Sequence, residues 1–299
     1  MELSGKISII IPTYNRKNDL MQCLASVKNL LYYELEIVVV DNASTDGTYE
    51  NVKKVFPQVK IIRNNKNLGV SGGRNTGLKY INKNTKFILF LDHDIIVEKD
   101  LVNELLKVMN KDEKMGIATP KIYYYEDKSV IWAVGTSINL ITGKITMNGE
   151  NQRDEGQFNQ IRDVQVAPAV IMVKREVIQK IGGFDEDYFA TYEDTDFCFR
   201  AKKVGYRIIY VPRARAFHKV PLNWWESKKR LVSRNYYIAR NRIIFMKKYS
   251  HYFFLFFFFL PVYFFYYSYL SLLLKQKERI KDFLKGTISG LKFITKIEK

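Results

Sequence analysis

Proline and glycine are scarce in this chain of 299 residues. It contains 7 Pro and 16 Gly, while 47% of its residues are hydrophobic and 26% are charged. This composition excludes a collagenous, a low-complexity and a largely disordered protein. The length predicts one or two globular domains with room for a packed core.

Cysteine is almost absent, and so is any sign of a secretion signal. Cys23 and Cys198 are the two cysteines, and they form no CxxC spacing. The first fifteen residues lack a basic segment and a small-residue cleavage site, and they lead directly into a strand pattern. We therefore expect a protein that faces a reducing cytosol.

Acidic residues are outnumbered, which leaves the chain strongly basic. It has 31 Asp and Glu against 48 Lys and Arg, a formal net charge of +17. Such a balance favours anionic partners, namely phosphates, nucleic acid or an acidic lipid surface. The positive charge is spread along the chain and no nucleic-acid-binding motif accompanies it, so we expect no nucleic-acid partner.

Short β-branched runs alternate with amphipathic segments over the first hundred residues. Near-continuous apolar strands separated by helices predict an α/β, Rossmann-like fold with a mostly parallel sheet and helices on both faces. Ligands of such sheets bind beyond the carboxyl ends of the strands, so the polar residues that follow each strand are the candidate site. Strands are predicted at 7–11, 35–40, 59–62 and 87–91, and helices at 19–31, 48–56, 72–80 and 100–109.

The pattern becomes less regular after residue 114. We expect one domain over residues 1–250, with a first half at about 1–114 and a second half at about 115–250 that contacts a second substrate. In the second half, strands are predicted at 116–119, 130–134, 164–173 and 207–211, and a helix at 175–181.

The composition changes sharply near residue 252, so residues 251–299 form a separate expected segment. Residues 252–274 carry no charge and include 13 aromatic residues. This run is long enough for a bilayer core of about 30 Å. Pro261, scattered tyrosines and basic flanks on both sides fit a segment in one leaflet equally well. A basic amphipathic tail follows, which indicates an anionic membrane surface at the cytosolic face. The alternative is that both elements pack on the domain at 1–250 or on a second subunit, and the second of these arrangements gives a homodimer.

Asp92, His93 and Asp94 directly follow the strand predicted at 87–91. Two carboxylates at this edge would repel each other, and a divalent cation removes that cost and offers sites to phosphate oxygens. A DxD triplet alone is a weak signal. Its position on a nucleotide-binding pattern, with Asp41 ending the second strand, favours a Mg²⁺ or Mn²⁺ site.

Six segments follow one another along the chain: IIIPTYNR at 9–16, VVDNASTDG at 39–47, NLGVSGGRNTG at 67–77, FLDHD at 90–94, GGFDE at 182–186 and Glu193-Asp194. In this order, over roughly residues 6–245, they resemble the motifs of the family 2 glycosyltransferases with a GT-A fold. Residues 236–241 followed by Phe245 also resemble the rhamnosyltransferase-like branch, whose members add sugars to cell-surface glycans.

The resemblance implies a site for a nucleotide-sugar donor at the strand ends. Asp41 would accept hydrogen bonds from a uracil or thymine ring or from a ribose hydroxyl, and Arg74 would lie near the base and diphosphate. Glycines would let the backbone approach the nucleotide. The implied donor-binding residues are Pro12, Thr13, Tyr14, Asp41, Gly72, Gly73, Arg74 and Asp92.

The resemblance also implies a metal-assisted, inverting transfer. Asp92, Asp94 and His218 would bind Mg²⁺ or Mn²⁺, with the imidazole favouring Mn²⁺. Asp194 would be the general base for the acceptor hydroxyl, and Glu193 would orient the acceptor. Asp196 is the rival carboxylate.

The expected reaction moves a sugar from a UDP- or dTDP-linked donor to a hydroxyl of a glycan or lipid-linked glycan. A sugar-nucleotide pyrophosphorylase is the alternative enzyme, although the first strand is not followed by its Gly-rich loop. A catalytically inactive, membrane-associated GT-A homologue is the alternative without activity. A dinucleotide-dependent dehydrogenase is excluded, because GxGxxG does not follow the first strand.

Overall fold

The computed structural model describes residues 5–32 and 34–297, with the side chains of 296 and 297 left aside. The chain divides into two compact units. The first contains the described residues up to 137 together with 147–189 and 193–220, and the second contains 138–146, 190–192 and 221–297. The expected boundary at residue 250 therefore falls inside the second unit.

The first unit is built on a mixed sheet whose opening strands are parallel. Strand β1 (Lys6–Thr13) lies between β2 (Leu35–Asp41) and β4 (Thr85–Leu91) and runs parallel to both. Strand β3 (Lys60–Arg63) continues the parallel set beside β2. The four strands predicted in the first hundred residues are thus confirmed, with ends that differ by one or two residues.

The second half of this unit extends the same sheet and makes it mixed. Strand β11 (Val170–Lys174) runs antiparallel to β4 and to β6 (Met115–Tyr124). Strand β12 (Arg207–His218) is parallel to β6 and continues seven residues beyond the predicted end at 211. The short strands are β5 (Ile95–Val97), β7 (Ile131–Ala133), β8 (Thr136–Ile138), β9 (Ile145–Met147) and β10 (Arg162–Asp163).

Helices cover both faces of this sheet, as the apolar strands predicted. Ile9 packs in one buried cluster with residues of α1 and α4, whereas the adjacent Ile10 packs in a second cluster with Phe197 of α6. Neighbouring residues of a strand point to opposite faces, so each face has its own core. The helices of the first unit are α1 (Lys17–Lys28), α2 (Thr48–Val55), α3 (Gly69–Leu78), α4 (Leu101–Met109), α5 (Arg175–Ile181) and α6 (Glu193–Lys203).

The second unit is helical over its long C-terminal part. The apolar run forms α9, a short 3₁₀ turn and α10, with Pro261 in the first turn of α10, where proline is tolerated. Tyr267 of α10 stacks on Phe283 of α11 with ring centroids 5.0 Å apart. Its helices are α7 (Trp224–Val232), α8 (Asn235–Tyr249), α9 (Phe253–Phe256), α10 (Leu260–Leu273) and α11 (Glu278–Ile297).

By length and composition, the helical stretch Phe253–Leu273 could cross a membrane. About a fifth of this stretch is buried against the rest of the protein. The remainder carries large apolar side chains in exposed positions, which is unusual for the core helix of a globular domain.

Candidate functional site

Buried polar groups that lack a hydrogen-bond partner among the described residues lie at the ends of β1 and β2. Thr13 and Asp41 are neighbours in the strand register, and both side chains are buried. Asp41 Oδ1 accepts a hydrogen bond from the Ser44 amide at 2.9 Å, and Oδ2 lies 3.5 Å from Arg63 Nε. Among the described residues, Asp41 Oδ2 and the Thr13 hydroxyl have no hydrogen-bond partner. These two buried groups are therefore suited to a polar ligand at this edge.

Pro12 and Tyr14 flank the same strand end in different ways. Tyr14 is exposed, so its ring is accessible to a ligand. Pro12 is buried, and its carbonyl oxygen lies 3.3 Å from His93 Nδ1. The His93 ring therefore contacts the backbone at the end of β1.

Gly72 and Gly73 lie inside α3, where the structure gives them a packing role. A Cβ at Gly73 would lie 2.8 Å from Pro12 Cβ and 3.0 Å from the Asn42 side-chain amide. A Cβ at Gly72 would lie 2.6 Å from Leu68 Cβ. Glycine at position 73 therefore lets α3 approach the end of β1, and contact of either glycine with a nucleotide stays a prediction.

Arg74 is fully buried and joins two carboxylates that are far apart in the sequence. Its Nη2 donates to Asp92 Oδ1 at 3.0 Å, and its Nη1 donates to Asp194 Oδ1. The guanidinium also lies over the Phe184 ring, 4.7 Å from the centroid. Burial lowers the pKa of Arg74, but the charges of Asp194 and Asp92 outweigh it and the pKa lies above its ordinary value. Sequence reasoning expected Arg74 near the ligand and missed both ion pairs.

The backbone of Ala169 makes a second link between the same two aspartates. Its amide donates to Asp194 Oδ2 at 3.2 Å, and its carbonyl accepts from the Asp92 amide at 3.2 Å. Ala169 adopts φ 58°, a left-handed conformation that alanine rarely takes. Strain of this kind clusters at functional sites. Nothing in the sequence pattern singles out this alanine.

Glu193 and Asp194 begin α6, and burial dominates their protonation. Burial raises the pKa of Asp194, while Arg74 opposes this shift. Burial, together with the neighbouring Asp194 charge, raises the pKa of Glu193 to about 8. Glu193 Oε2 is buried without a hydrogen-bond partner among the described residues. Glu193 is thus largely protonated at neutral pH, whereas Arg74 favours the ionised form of Asp194.

Asp196, the rival carboxylate, has a different environment. It is buried and accepts a hydrogen bond from Arg200 Nε at 2.8 Å, one turn along α6. Arg200 also donates to the carbonyl groups of Ile181 and Gly183. This pair ties α6 to the end of α5, so the geometry of Asp196 is that of a structural residue.

Asp92, Asp94 and His218 come together at the end of β12. The register pairs His218 with Ile95, which brings the imidazole beside Asp94. Asp94 Oδ1 lies 3.1 Å from His218 Nε2, and one possible ligand atom from each of the three residues lies within 4.8 Å of the others. Two carboxylates and one imidazole form a donor set suited to Mn²⁺ or Mg²⁺.

The family model described as "Glycosyl transferase family 2" matches residues 8–182. The chain belongs to this family. The matched range of this family 2 glycosyltransferase includes Asp41, Asp92 and Asp94 and ends before Asp194 and His218.

Curated relatives of this family 2 glycosyltransferase carry glycosyltransferase names. The chain is 27% identical over 262 residues to "Probable glycosyltransferase YdaM" of Bacillus subtilis, covering 80% of this chain and 60% of that protein. It is 26% identical over 303 residues to "dTDP-rhamnosyl transferase RfbF" of Shigella flexneri, covering 98% of each. The chain thus spans three fifths of the first relative and nearly all of the second.

Solved structures confirm the GT-A fold that the motifs implied. The mannosyltransferase PcManGT of Pyrobaculum calidifontis, in complex with GDP-Man and Mn²⁺, aligns with a TM-score of 0.60 at 16% identity. That alignment covers 96% of this family 2 glycosyltransferase and 87% of the mannosyltransferase. GalNAc-T7 with UDP, GalNAc and Mn²⁺ aligns with a TM-score of 0.59 at 16% identity, covering 80% of this chain and 51% of that one.

Proposed function

We propose that this enzyme transfers a sugar, with inversion, from a UDP- or dTDP-linked donor to a hydroxyl of a cell-surface or lipid-linked glycan. The observation that carries this proposal is the Arg74 bridge, which holds Asp92 of the metal-ligand group and Asp194 on one guanidinium. Because Arg74 contacts both carboxylates, the candidate base Asp194 lies close to Asp92 of the candidate metal site. The relative named dTDP-rhamnosyl transferase, which matches over its full length, supports a nucleotide-sugar donor of this class.

Asp92, Asp94 and His218 are the residues that would hold Mg²⁺ or Mn²⁺. Asp94 Oδ1 and His218 Nε2 are buried and share a hydrogen bond of 3.1 Å, which a cation bound to both groups would replace. A bound cation supplies positive charge for the diphosphate leaving group. The imidazole in the donor set favours Mn²⁺, and Mn²⁺ is the ion in both solved structures named above.

The donor nucleotide would bind at the ends of β1 and β2. Asp41 Oδ2, which lies near Arg63 but accepts no hydrogen bond among the described residues, and the Thr13 hydroxyl would bind the base or the ribose. The exposed Tyr14 ring can cover the base. A carboxylate acceptor of this kind suits the N–H of a uracil or thymine ring. The glycan acceptor would approach from the Asp194 side.

Asp194 would act as the general base. In the proposed step, the acceptor oxygen forms a bond to the anomeric carbon, the bond to the diphosphate oxygen breaks, and the acceptor proton moves to Asp194. Arg74 and the Ala169 amide hold the carboxylate in one orientation and favour its ionised form before the proton arrives. Glu193, which is largely protonated, would orient the acceptor as a hydrogen-bond donor.

A matched pair of isosteric variants tests this assignment. Asp194→Asn should reduce sugar transfer by a factor of at least about 10², the lower end of general-base effects, and should leave nucleotide binding intact. Glu193→Gln keeps the neutral form and should retain most of the activity. Unchanged turnover in Asp194→Asn, or loss of turnover in Glu193→Gln alone, would contradict the assignment.

We also propose that the second unit rests on the cytosolic face of the membrane, with residues 252–274 in one leaflet. The buried Arg242 of α8 lies over the Tyr263 ring at 3.8 Å and donates to the Tyr267 hydroxyl at 3.3 Å. A spanning α10 would carry this arginine into the hydrocarbon, which is costly. An in-plane helix keeps Arg242 in the protein and turns only its exposed aromatic face to lipid.

A further inference from the structure

A groove of about 530 Å³ opens between α8 and α11 in the second unit. Neither the metal group nor the nucleotide-binding strand ends contribute to it. Its polar and aromatic lining consists of Tyr236 and Arg240 from α8 and of Lys285, Ser289, Lys292 and Phe293 from α11.

Two glycines of α11 create the close crossing that shapes this groove. A Cβ at Gly286 would lie 2.2 Å from the Tyr236 carbonyl oxygen, and a Cβ at Gly290 would lie 2.9 Å from the Arg240 carbonyl oxygen. Glycine is unfavourable inside a helix, so two glycines one turn apart indicate that close contact is required here. This close crossing of α8 and α11 brings side chains of the two helices into contact. Ser289 Oγ of α11 lies 3.1 Å from the Tyr236 hydroxyl of α8.

The groove concentrates positive charge beside hydroxyl groups. Lys285, Lys292 and Arg240 line it, and no acidic side chain does so among the residues that the structure describes. The Arg240 guanidinium is oriented by the Phe293 ring at 5.2 Å and by Asn241 Oδ1 at 2.9 Å. The groove thus offers three positively charged side chains and two hydroxyl groups as hydrogen-bond donors, and phosphate oxygens accept hydrogen bonds from donors of both kinds.

The rim of the groove is apolar on its outer side. Ile288 is 52% exposed and Leu284, one turn before it, is 43% exposed. Lysines that flank exposed aliphatic residues on one helix face are typical of a helix at a membrane interface. A water-soluble phosphate compound would leave these aliphatic side chains in contact with water.

We propose that this groove binds the phosphate group of an anionic membrane lipid. The proposal rests on the membrane association put forward above, and it adds a headgroup site to a surface that would otherwise bind by its aromatic residues. Acyl chains would lie along Leu284 and Ile288, and the phosphate would accept hydrogen bonds from Lys285, Lys292 and Ser289.

The test measures partition of the full chain onto phosphatidylcholine vesicles with and without phosphatidylglycerol. A lysine near an anionic surface contributes a factor of about five by diffuse attraction alone, so loss of any two such lysines weakens binding to anionic vesicles by up to about thirtyfold. Lys285→Gln with Lys292→Gln also removes direct contacts with the phosphate and should therefore weaken binding by more than this. The control, Lys275→Gln with Lys277→Gln, removes the same charge from exposed positions outside the groove. An equal or larger loss in the control would overturn the proposal.

A second variant fills the groove without changing charge. Ser289→Phe should lower the preference for anionic vesicles about tenfold, whereas Thr295→Phe, on the exposed surface of the same helix, should leave it unchanged. If Ser289→Phe keeps the full preference for anionic vesicles, the preference arises from diffuse electrostatic attraction, and the proposed binding site in the groove is refuted. Displacement from the vesicles by dissolved glycerol phosphate at a concentration no higher than that of the accessible phosphatidylglycerol would overturn the lipid assignment, because it would show that the acyl chains contribute nothing.

The same titrations separate the two proposals. Equal binding to both vesicle types would refute the groove and leave membrane association standing. Absence of binding to either type would refute membrane association, and the lipid site with it. The expected result is stronger binding to the anionic vesicles than to the neutral ones, with a preference that both groove variants weaken.

Discussion

Arg74 sets the electrostatics of the candidate site at the scale of single residues. Its guanidinium is buried and contacts two carboxylates and the Phe184 ring. Charges in such a site interact more strongly than in water because the surroundings are less polar. The bridge therefore links the charge state of Asp194 to that of Asp92.

Removal of Arg74 should destabilise the protein and disable the site together. Arg74→Ala leaves two carboxylates without their cation, and loss of one partner of a buried ion pair costs about 3–5 kcal/mol. Urea unfolding measures this loss. Arg16→Ala, which removes an exposed arginine in a 3.9 Å ion pair, should change the free energy of unfolding by less than about 1 kcal/mol. A small loss for Arg74→Ala would contradict the bridging role.

Glu193 should make stability depend on pH. Its folded pKa of about 8 lies above the ordinary value of 4.5, so the folded state holds a proton that the unfolded state releases between these values. The free energy of unfolding should therefore fall as pH rises from 4.5 to 8. Glu193→Gln should flatten this slope and should stabilise the protein at pH 8, as unfolding measured across the range would reveal. An unchanged slope would refute a buried, neutral Glu193.

Sequence reasoning at this scale succeeded where the chemistry lay in a short motif. Only His93 separates Asp92 from Asp94 in the sequence, so it could be predicted that the two carboxylates lie close together. The family resemblance added His218 to this pair. The Arg74 contact with Asp194 could not be predicted from spacing, because 120 positions separate the two residues. The contact depends on how α3, which carries Arg74, and α6, which carries Asp194, meet in the folded chain.

At the scale of elements, α3 packs against β1 with little space between them. A Cβ at Gly77 would lie 2.4 Å from Ile10 Cγ2, and both residues are buried. This close approach holds Arg74, which lies on the same helix, at the level of the strand ends.

Gly77→Ala should therefore destabilise the protein although alanine favours helices. Overpacking in a filled core costs about 1–3 kcal/mol, against a gain of up to about 1 kcal/mol in helix propensity. Thermal unfolding should show a lower Tm and weaker nucleotide binding. Lys79→Ala, at the exposed end of this helix, is the control and should change stability by less than about 0.5 kcal/mol. A higher Tm for Gly77→Ala would contradict the packing.

Element prediction worked best where apolar periodicity was strong. The early strands and helices agree with the structure, whereas the strand predicted at 207–211 continues to His218. Pro212 follows the predicted end of this strand, and the sheet resumes beyond a register shift between Val211 and Arg215. The sequence signal for this continuation was the alternation of arginine and alanine at 213–216, which places Ala214 and Ala216 in the core and the arginines at the surface.

At the scale of the whole molecule, the composition change near residue 252 identified an apolar segment but not its packing. The same length and hydropathy fit a spanning helix, a buried helix and an interfacial helix. The packing of Arg242, which comes from α8, on Tyr263 and Tyr267 is the observation that favours the proposed interfacial helix. That contact is absent from any local sequence pattern.

The exposed aromatic face should control membrane binding independently of folding. Phe258 is 76% exposed and Phe265 is 69% exposed, so aspartate at both positions should leave Tm nearly unchanged. The double variant should lose vesicle binding by a factor of at least about 100, since each buried large apolar side chain contributes about 1.5–3 kcal/mol. Leu31→Asp, an exposed apolar position of the first unit, is the control. Vesicle binding that survives the double substitution would refute the in-plane arrangement.

The central claim is that a divalent cation on Asp92, Asp94 and His218 joins a pyrimidine nucleotide to this enzyme. Calorimetric titration with UDP, dTDP, GDP and ADP, each with Mn²⁺ and with EDTA, tests it most directly. We predict binding of UDP or dTDP that requires Mn²⁺ and disappears in Asp94→Ala. Binding that persists in EDTA, or binding of none of the four nucleotides, would contradict the claim.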